Sequence, residues 1–308
     1  MSIDMYLSKS KNQSSDVNKL SKDIKNGYDS VIKANSKFIS ETGLKGKAFD
    51  SGKEFFESII SPLLLSMKTL SDLTEQACQE FVNKYISEVD SQSLKESELE
   101  EDIRELEVRI AHLESMTISL KQKSSKNRTA INGNKNMISS LEHQKEELEK
   151  KLRKLRQFNQ TSPAIFKEVE SFQKTVQKGI NQAKTSWNPG KQTFDIPSGK
   201  QLDWAKVVQN KYLDVEMKKI NSKSKNQKLN KKDLQTIMNY AQSHPKEDVP
   251  KSLKEYLIQN RESVSRDLGI DLATNGIEQV GFGIQKFGGV LNTYGGYRGP
   301  KGKKVLFK

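Results

Sequence analysis

The stretch from Glu98 to Leu120, ELEEDIRELEVRIAHLESMTISL, decides the fold. Its residues Leu99, Ile103, Leu106, Ile110, Leu113 and Leu120 alternate steps of four and three, with Thr117 holding one seam position. Such spacing puts one apolar stripe on a helix and calls for a second helix along about three heptads. That second helix lies downstream, where Ile138, Leu141, Leu148, Leu152 and Leu155 repeat the seam, with Lys145 interrupting it. Between the two runs, Ser124 to Asn136 is polar and contains Asn132-Gly133-Asn134, which predicts a loop. Asp90 to Glu114 holds nine acids and three bases, whereas Lys121 to Arg156 holds eleven bases and four acids. Folded back antiparallel, the arms attract through their flanking positions, so one intramolecular hairpin is favoured over two separate oligomer seams. Each arm of about 25 residues would extend roughly 37 Å at 1.5 Å per residue.

Upstream, Val17, Leu20, Ile24, Tyr28, Val31/Ile32 and Phe38 recur at helical steps and predict an amphipathic helix over residues 3 to 40. Thr42-Gly43-Leu44-Lys45-Gly46 ends it, with two glycines able to take left-handed backbone. A second series runs from Phe49 through Phe55/Phe56, Ile59/Ile60, Leu63, Met67, Leu70, Leu73, Ala77, Phe81 and Tyr85 to Val89. It predicts a long helix kinked at Pro62, because proline deletes a backbone hydrogen bond. Two long helices around a short glycine turn make an antiparallel helical hairpin.

Downstream of the coiled coil, Ser162-Pro163 reads as a helix start, with Ile165, Phe166, Val169, Phe172, Val176 and Ile180 on one face. Trp187-Asn188-Pro189-Gly190 breaks the chain, and Phe194 to Gly199 is a short extended piece. Leu202 to Ile220 is helical again. Asn221 to Lys232 is almost free of apolar residues and reads as a basic linker and domain boundary. Helices over about Lys232 to Ser243 and Pro250 to Leu268 precede an end with 8 of the 18 glycines in its last 28 residues. The fold class is all-α: an elongated helical hairpin, a long coiled-coil hairpin, and a small helical, Gly-rich C-terminal region.

The 308 residues carry 52 Lys+Arg against 39 Asp+Glu, a net charge of +13. An excess of this size suggests an anionic partner such as nucleic acid or membrane. It is unevenly spread, however, and solvated helix faces account for most of it. Lys206 to Lys232 has nine bases and two acids, and Gly281 to Lys308 has six bases and no acid. The lone Cys78 excludes an intramolecular disulfide framework. The longest mostly apolar run, Ile59 to Met67, contains Pro62 and is too short to span a bilayer. Met1 to Tyr6 lacks the basic and apolar regions of a cleavable signal peptide.

Three features converge: a hairpin turning at Leu44-Lys45-Gly46, a coiled-coil middle and a separate C-terminal piece. Together they resemble the LXG-domain polymorphic toxins of Gram-positive bacteria, which leave the cell by type VII secretion. Met1-Ser2-Ile3-Asp4-Met5-Tyr6-Leu7, Lys53-Glu54-Phe55-Phe56, Ser61-Pro62-Leu63, Tyr85 to Asp90 and Glu98 to Leu106 carry the same resemblance, which covers roughly residues 1 to 220. It implies a delivery domain over 1–220, composed of a helical hairpin (1–92), the coiled-coil hairpin (93–158) and further helices (159–220). A linker (221–232) then leads to a short C-terminal region (233–308), a remnant of or connector to a toxin module. The implied partners are small helical-hairpin proteins encoded nearby, the type VII machinery, and an immunity protein where a toxin is present. The implied role is interbacterial antagonism after export without a cleaved leader. Leu44 and Gly46 are the candidate partner-binding residues. An apolar plug at a helix end and an ordinary turn glycine remain the alternatives for the two.

The residues show no catalytic constellation, so the chain reads as no enzyme, with no cofactor and no metal. His112 and His143 fall off the seam, and His244 sits in a turn between helices. No His/Cys cluster has zinc spacing. Cys78 reads as packing on an amphipathic helix, and Trp187 and Trp204 as packing anchors where the coiled coil meets the next helices. Two other functions stay open. The basic, aromatic, Gly-rich end is itself a small toxin acting on membrane or nucleic acid, or the chain is a structural coiled-coil scaffold.

Overall fold

A computed structural model describes residues 2–123, 127–244 and 247–268. The Gly-rich end, with its reading as toxin remnant or as membrane or nucleic-acid contact, lies outside the described residues. The fold is all-α with short two-residue strands. The described residues divide into two compact units, one drawn from 2–27 and 70–174, the other from 28–69 and 175–268.

In the first unit, β1 (Asp4–Met5) pairs antiparallel with β2 (Leu94–Lys95). This pairing pins the start of α1 (Leu7–Ser40), where the Leu7 N–H donates to Ser93 Oγ at 3.0 Å and the Ile3 N–H to Glu96 Oε2 at 3.0 Å. Met5 and Leu7 join Val82, Tyr85, Val89, Leu99, Leu152, Leu155 and Phe158 in one core. Tyr85 is fully buried and its hydroxyl donates to the Gln92 carbonyl at 2.8 Å, so the buried oxygen has its partner. The N-terminal, Tyr85 and Leu99 stretches quoted above thus meet in a single cluster.

The coiled-coil hairpin is built as its seam predicts. Helices α4 (Glu96–Lys123) and α5 (Arg128–Thr161) pack along their length, with α2 (Lys47–Phe55) and α3 (Ser61–Glu88) preceding them in the chain. Leu106, Ile110 and Leu141 are buried, with Leu113, Ile138 and Leu148 packed against them. Charge pairs the arms as well. Arg156 binds Glu96 at 2.6 Å and Glu100 at 2.5 Å, and Lys145, which interrupts the seam, reaches Glu107 at 3.4 Å. The loop expected over 124–136 is shorter, because α5 already begins at Arg128 and takes in Asn132-Gly133-Asn134. Asn134 occupies a seam position and donates to Thr117 Oγ1 at 3.1 Å, so tertiary pairing overrides the turn propensity of that triplet.

In the second unit, the irregularity expected at Pro62 appears one turn earlier. Phe56–Ile60 forms a π turn between α2 and α3. The Ser61 N–H and hydroxyl both reach the Phe56 carbonyl, five residues back. Widening the turn in this way accommodates the missing proline N–H. After a 3-10 turn, α6 (Lys167–Thr185) leads to the antiparallel strands β3 (Trp187–Asn188) and β4 (Thr193–Phe194). Trp204 on α7 (Asp203–Ser224) is buried and donates to Gln182 Oε1 at 2.6 Å. It lies over Gly179, where a Cβ would meet the indole at 2.6 Å and Leu63 at 2.8 Å. Trp204 is therefore a buried packing residue, whereas Trp187 is 49% exposed and meets the Phe194 ring edge-on.

The stretch 221–232 is not a free linker. Helix α7 runs to Ser224, and Leu229 is buried with its N–H on the Tyr256 hydroxyl at 2.8 Å. Leu213, Met217 and Ile220 share one core with Leu229, Leu234, Ile237, Ala241, Val249, Leu253 and Val264. These come from α7, α8 (Lys231–Ser243), α9 (Lys251–Gln259) and α10 (Arg261–Leu268), with Leu229 and Val249 supplied by the connections before α8 and α9. Asn230 caps α8 through a capping box with Asp233. Leu229, the one apolar residue of 221–232, ties this polar segment to the core. The single helix expected over 250–268 breaks at Asn260, whose side chain caps Tyr256 O.

Candidate functional site

Leu44 and Gly46 lie in the connection between α1 and α2. Gly46 has φ 109° and ψ 163°, a region open essentially only to glycine. Gly43 has no positive φ, so one glycine, not two, supplies the unusual backbone. The Gly46 carbonyl accepts the Asp50 N–H at 2.8 Å, and Asp50 sits in the first turn of α2, where a carboxylate suits the helix dipole.

Lys53 closes this turn from the next helix. Its ammonium donates to the Leu44 carbonyl at 2.9 Å and to the Glu41 carbonyl. Glu41 in turn accepts the Gly43 N–H at 2.7 Å. Leu44 is half-buried. Lys53, two residues before the Phe55-Phe56 pair, is thus part of the turn's construction, a role the sequence did not reveal.

Behind the turn the aromatic residues stack in series. Phe38 lies 4.9 Å from Phe56, Phe55 stacks on Phe194 at 4.2 Å, and Trp187 meets Phe194 edge-on at 5.0 Å. The Phe194 N–H donates to Ser51 Oγ at 3.1 Å, which ties β4 to α2. Phe49 is 44% exposed. No sequence signal linked 187–194 to the Leu44–Gly46 turn, because the two are far apart in the chain.

The contact of α1 with α3 carries a series of polar pairs. In the first unit, Asn18 donates to Glu75 at 2.7 Å, Ser21 to the Ser71 carbonyl at 3.3 Å, and Lys25 to Asp72 at 2.7 Å and Glu75 at 3.1 Å. Burial alone would depress the Lys25 pKa, but the Asp72 and Glu75 hydrogen bonds and charges outweigh it and hold it above its ordinary value. In the second unit, Asn35 donates to Ser61 at 2.6 Å and Lys68 pairs with Asp29. Meanwhile Leu20 is 59% exposed and Val31 48% exposed. Val17, Ile24, Tyr28, Ile32 and Phe38 of the apolar stripe are half-buried beside these polar residues, whereas Leu20 and Val31 lie off that face.

The histidines and the cysteine lie apart from the Leu44–Gly46 turn in the chain. Among the described residues no group of three or more His, Cys, Asp or Glu is placed to hold a metal ion. His112 and His143 are exposed. His244 stacks on Tyr240 at 4.3 Å, and its Nε2 lies 3.5 Å from Asp214 Oδ1. Burial and the Glu247 hydrogen bond push the Tyr240 phenol up to about 12. Cys78 is half-buried rather than fully packed, and burial raises its thiol pKa. Among the described residues no helix is long and apolar enough to cross a membrane.

Comparison with known proteins places these features. A family profile described as the LXG domain of the WXG superfamily matches residues 3–195. A Bacillus cereus protein named Toxin is 25% identical over 211 residues, which is 68% of this chain and 37% of that protein. The chain therefore spans little more than a third of the relative's length. No solved structure matches.

Proposed function

The chain belongs to the LXG domain family of the WXG superfamily, and on that premise we propose that it is the delivery part of a secreted toxin. Its helical hairpin binds small helical-hairpin proteins, and the complex is the substrate of type VII export in antagonism between Gram-positive bacteria. The observation that carries this reading is the division of labour on α1. Polar side chains hold it to α3, while Leu20 and Val31 are left to solvent. An exposed apolar residue on a long surface helix is what another helix covers in a bundle. Residues 1–220 perform this role without catalysis, with Leu44 and Gly46 setting the end of the hairpin. Any toxic activity, and an immunity protein to match it, belongs with sequence C-terminal to this region.

Co-expression with the small helical proteins encoded beside it, followed by affinity purification, tests the reading. A stable complex is expected, weakened about tenfold or more by Leu20→Glu with unchanged helix content, since a buried charge cannot find a partner. Failure to bind any of those proteins overturns it.

A further inference from the structure

The coiled-coil hairpin changes character along its length. Near its base both arms are dense in charge of both signs and pair across, as Arg156 does with Glu96 and Glu100. Beyond Glu114 on α4 and before Glu142 on α5 there is no acid at all, while the intervening sequence holds five bases. Three of these, Lys121, Arg128 and Lys135, are exposed, and none makes an ion pair among the described residues. The same end exposes apolar side chains. Met116 is 44% exposed, Ile118 55% and Met137 58%. The seam beneath them is intact, since Thr117 and Asn134 bond across it. These residues are therefore not needed to hold the arms together.

Heptad position orders them further. Counting from the seam residues Thr117 and Ile138, Met116 and Met137 each precede a core position and share one flank of the antiparallel pair. Lys121 and Lys135 lie on the opposite flank, the one on which Arg156 meets Glu100 nearer the base. Both flanks of the distal end thus lack acid, and each presents something an anionic amphipathic surface accepts.

Three partners fit a basic, partly apolar end, and the chemistry chooses among them. A second copy would bring base against base. Nucleic acid is gripped with aromatic stacking as well as charge, and Glu96 to Gln157 contains no Phe, Tyr or Trp. A bilayer surface takes lysine and arginine at its phosphates while methionine and isoleucine reach the acyl boundary. We propose that the distal end of the α4–α5 hairpin, through Met116, Ile118, Met137, Lys121, Arg128 and Lys135, docks on an anionic lipid surface. The proposal is independent of the partner proteins bound by the first hairpin.

Vesicle flotation of the full chain tests it, using phosphatidylcholine vesicles with and without phosphatidylglycerol. Binding to the anionic vesicles alone is expected, falling as salt screens the charges. The triple variant K121E/R128E/K135E should weaken it about tenfold or more. K174E/K178E/K184E, an equal charge change on exposed lysines of α6, should alter it less than about twofold. M116S/I118S/M137S should weaken it several-fold while leaving its salt dependence unchanged, with circular dichroism confirming an intact coiled coil in every variant. No binding to anionic vesicles overturns the proposal. So does an equal loss in the α6 variant, which would make the effect one of net charge, and so does retention on single-stranded or duplex oligonucleotides without retention on vesicles.

Discussion

The two helical hairpins solve the same packing problem with opposite materials. Between α4 and α5 the seam is leucine and isoleucine, and charge pairs sit on its margins. Between α1 and α3 the inward positions of α1 carry Asn18, Ser21, Lys25 and Asn35, and the apolar residues Leu20 and Val31 face outward. A leucine seam is non-directional and strong, and it serves the two arms alone. A polar seam adds only about 1 kcal/mol per hydrogen bond, yet it fixes register and leaves apolar surface for something else. The coiled coil buries its seam between its own two arms, whereas α1 leaves Leu20 and Val31 in solvent.

Substitutions can break that contrast in order of expected effect. Leu155→Ala, at a side chain 1% exposed in the core at the base of the coiled coil, should cost about 2–5 kcal/mol in urea unfolding followed by helix signal. Lys25→Ala should cost about 2 kcal/mol, because it removes the ammonium that meets Asp72, whose side chain is 4% exposed, and Glu75. If the α1–α3 seam is polar for register rather than strength, Lys25→Met with Asp72→Leu should restore most of that loss. Gly46→Ala should cost about 1–3 kcal/mol through backbone strain alone, since no atom lies within 4 Å of the added Cβ.

The smallest effect is one of pH, and it runs in opposite senses in the two hairpins. At the base of the coiled coil, burial alone would raise the Asp90 carboxyl. The Lys151 ammonium at 2.9 Å and the Gln92 and Ser91 N–H groups prevail and hold it below its ordinary 3.8. A depressed carboxylate stabilises the fold above its unfolded value and ceases to as pH falls through the lower, folded one. Acidification below about 4 should therefore weaken this region, and Asp90→Asn should flatten the acid limb of a stability–pH profile. Lys25, raised above 10.5, contributes fully below that value and loses its contribution as pH climbs through the folded one, so Lys25→Met should flatten the alkaline limb instead.

Much of this was legible from particular residues. The Leu99–Leu120 and Ile138–Leu155 runs showed their pairing because both the repeat and the charge asymmetry are local patterns. Leu44-Lys45-Gly46 showed the turn, but not that Lys53 bonds its carbonyls, because a lysine nine residues on is indistinguishable from any solvated one. The Trp187–Phe194 strands gave no sign of packing on α2. Asn221 to Lys232 misled for a related reason: its composition is that of a linker, yet Leu229 fills a pocket made by helices on both sides.

By itself the sequence determined that the chain is helical and that α4 and α5 pair. A period of 3.5 residues and complementary charge suffice for that, whatever else the chain does. Only the tertiary structure decided which face of α1 turns inward, that Asn132-Gly133-Asn134 is helix, and that 221–232 belongs to a core. Each of those outcomes depends on the surface opposite. A stripe of apolar residues states that burial is favourable, and the neighbours that are present determine whether it happens within this chain or is left for another molecule.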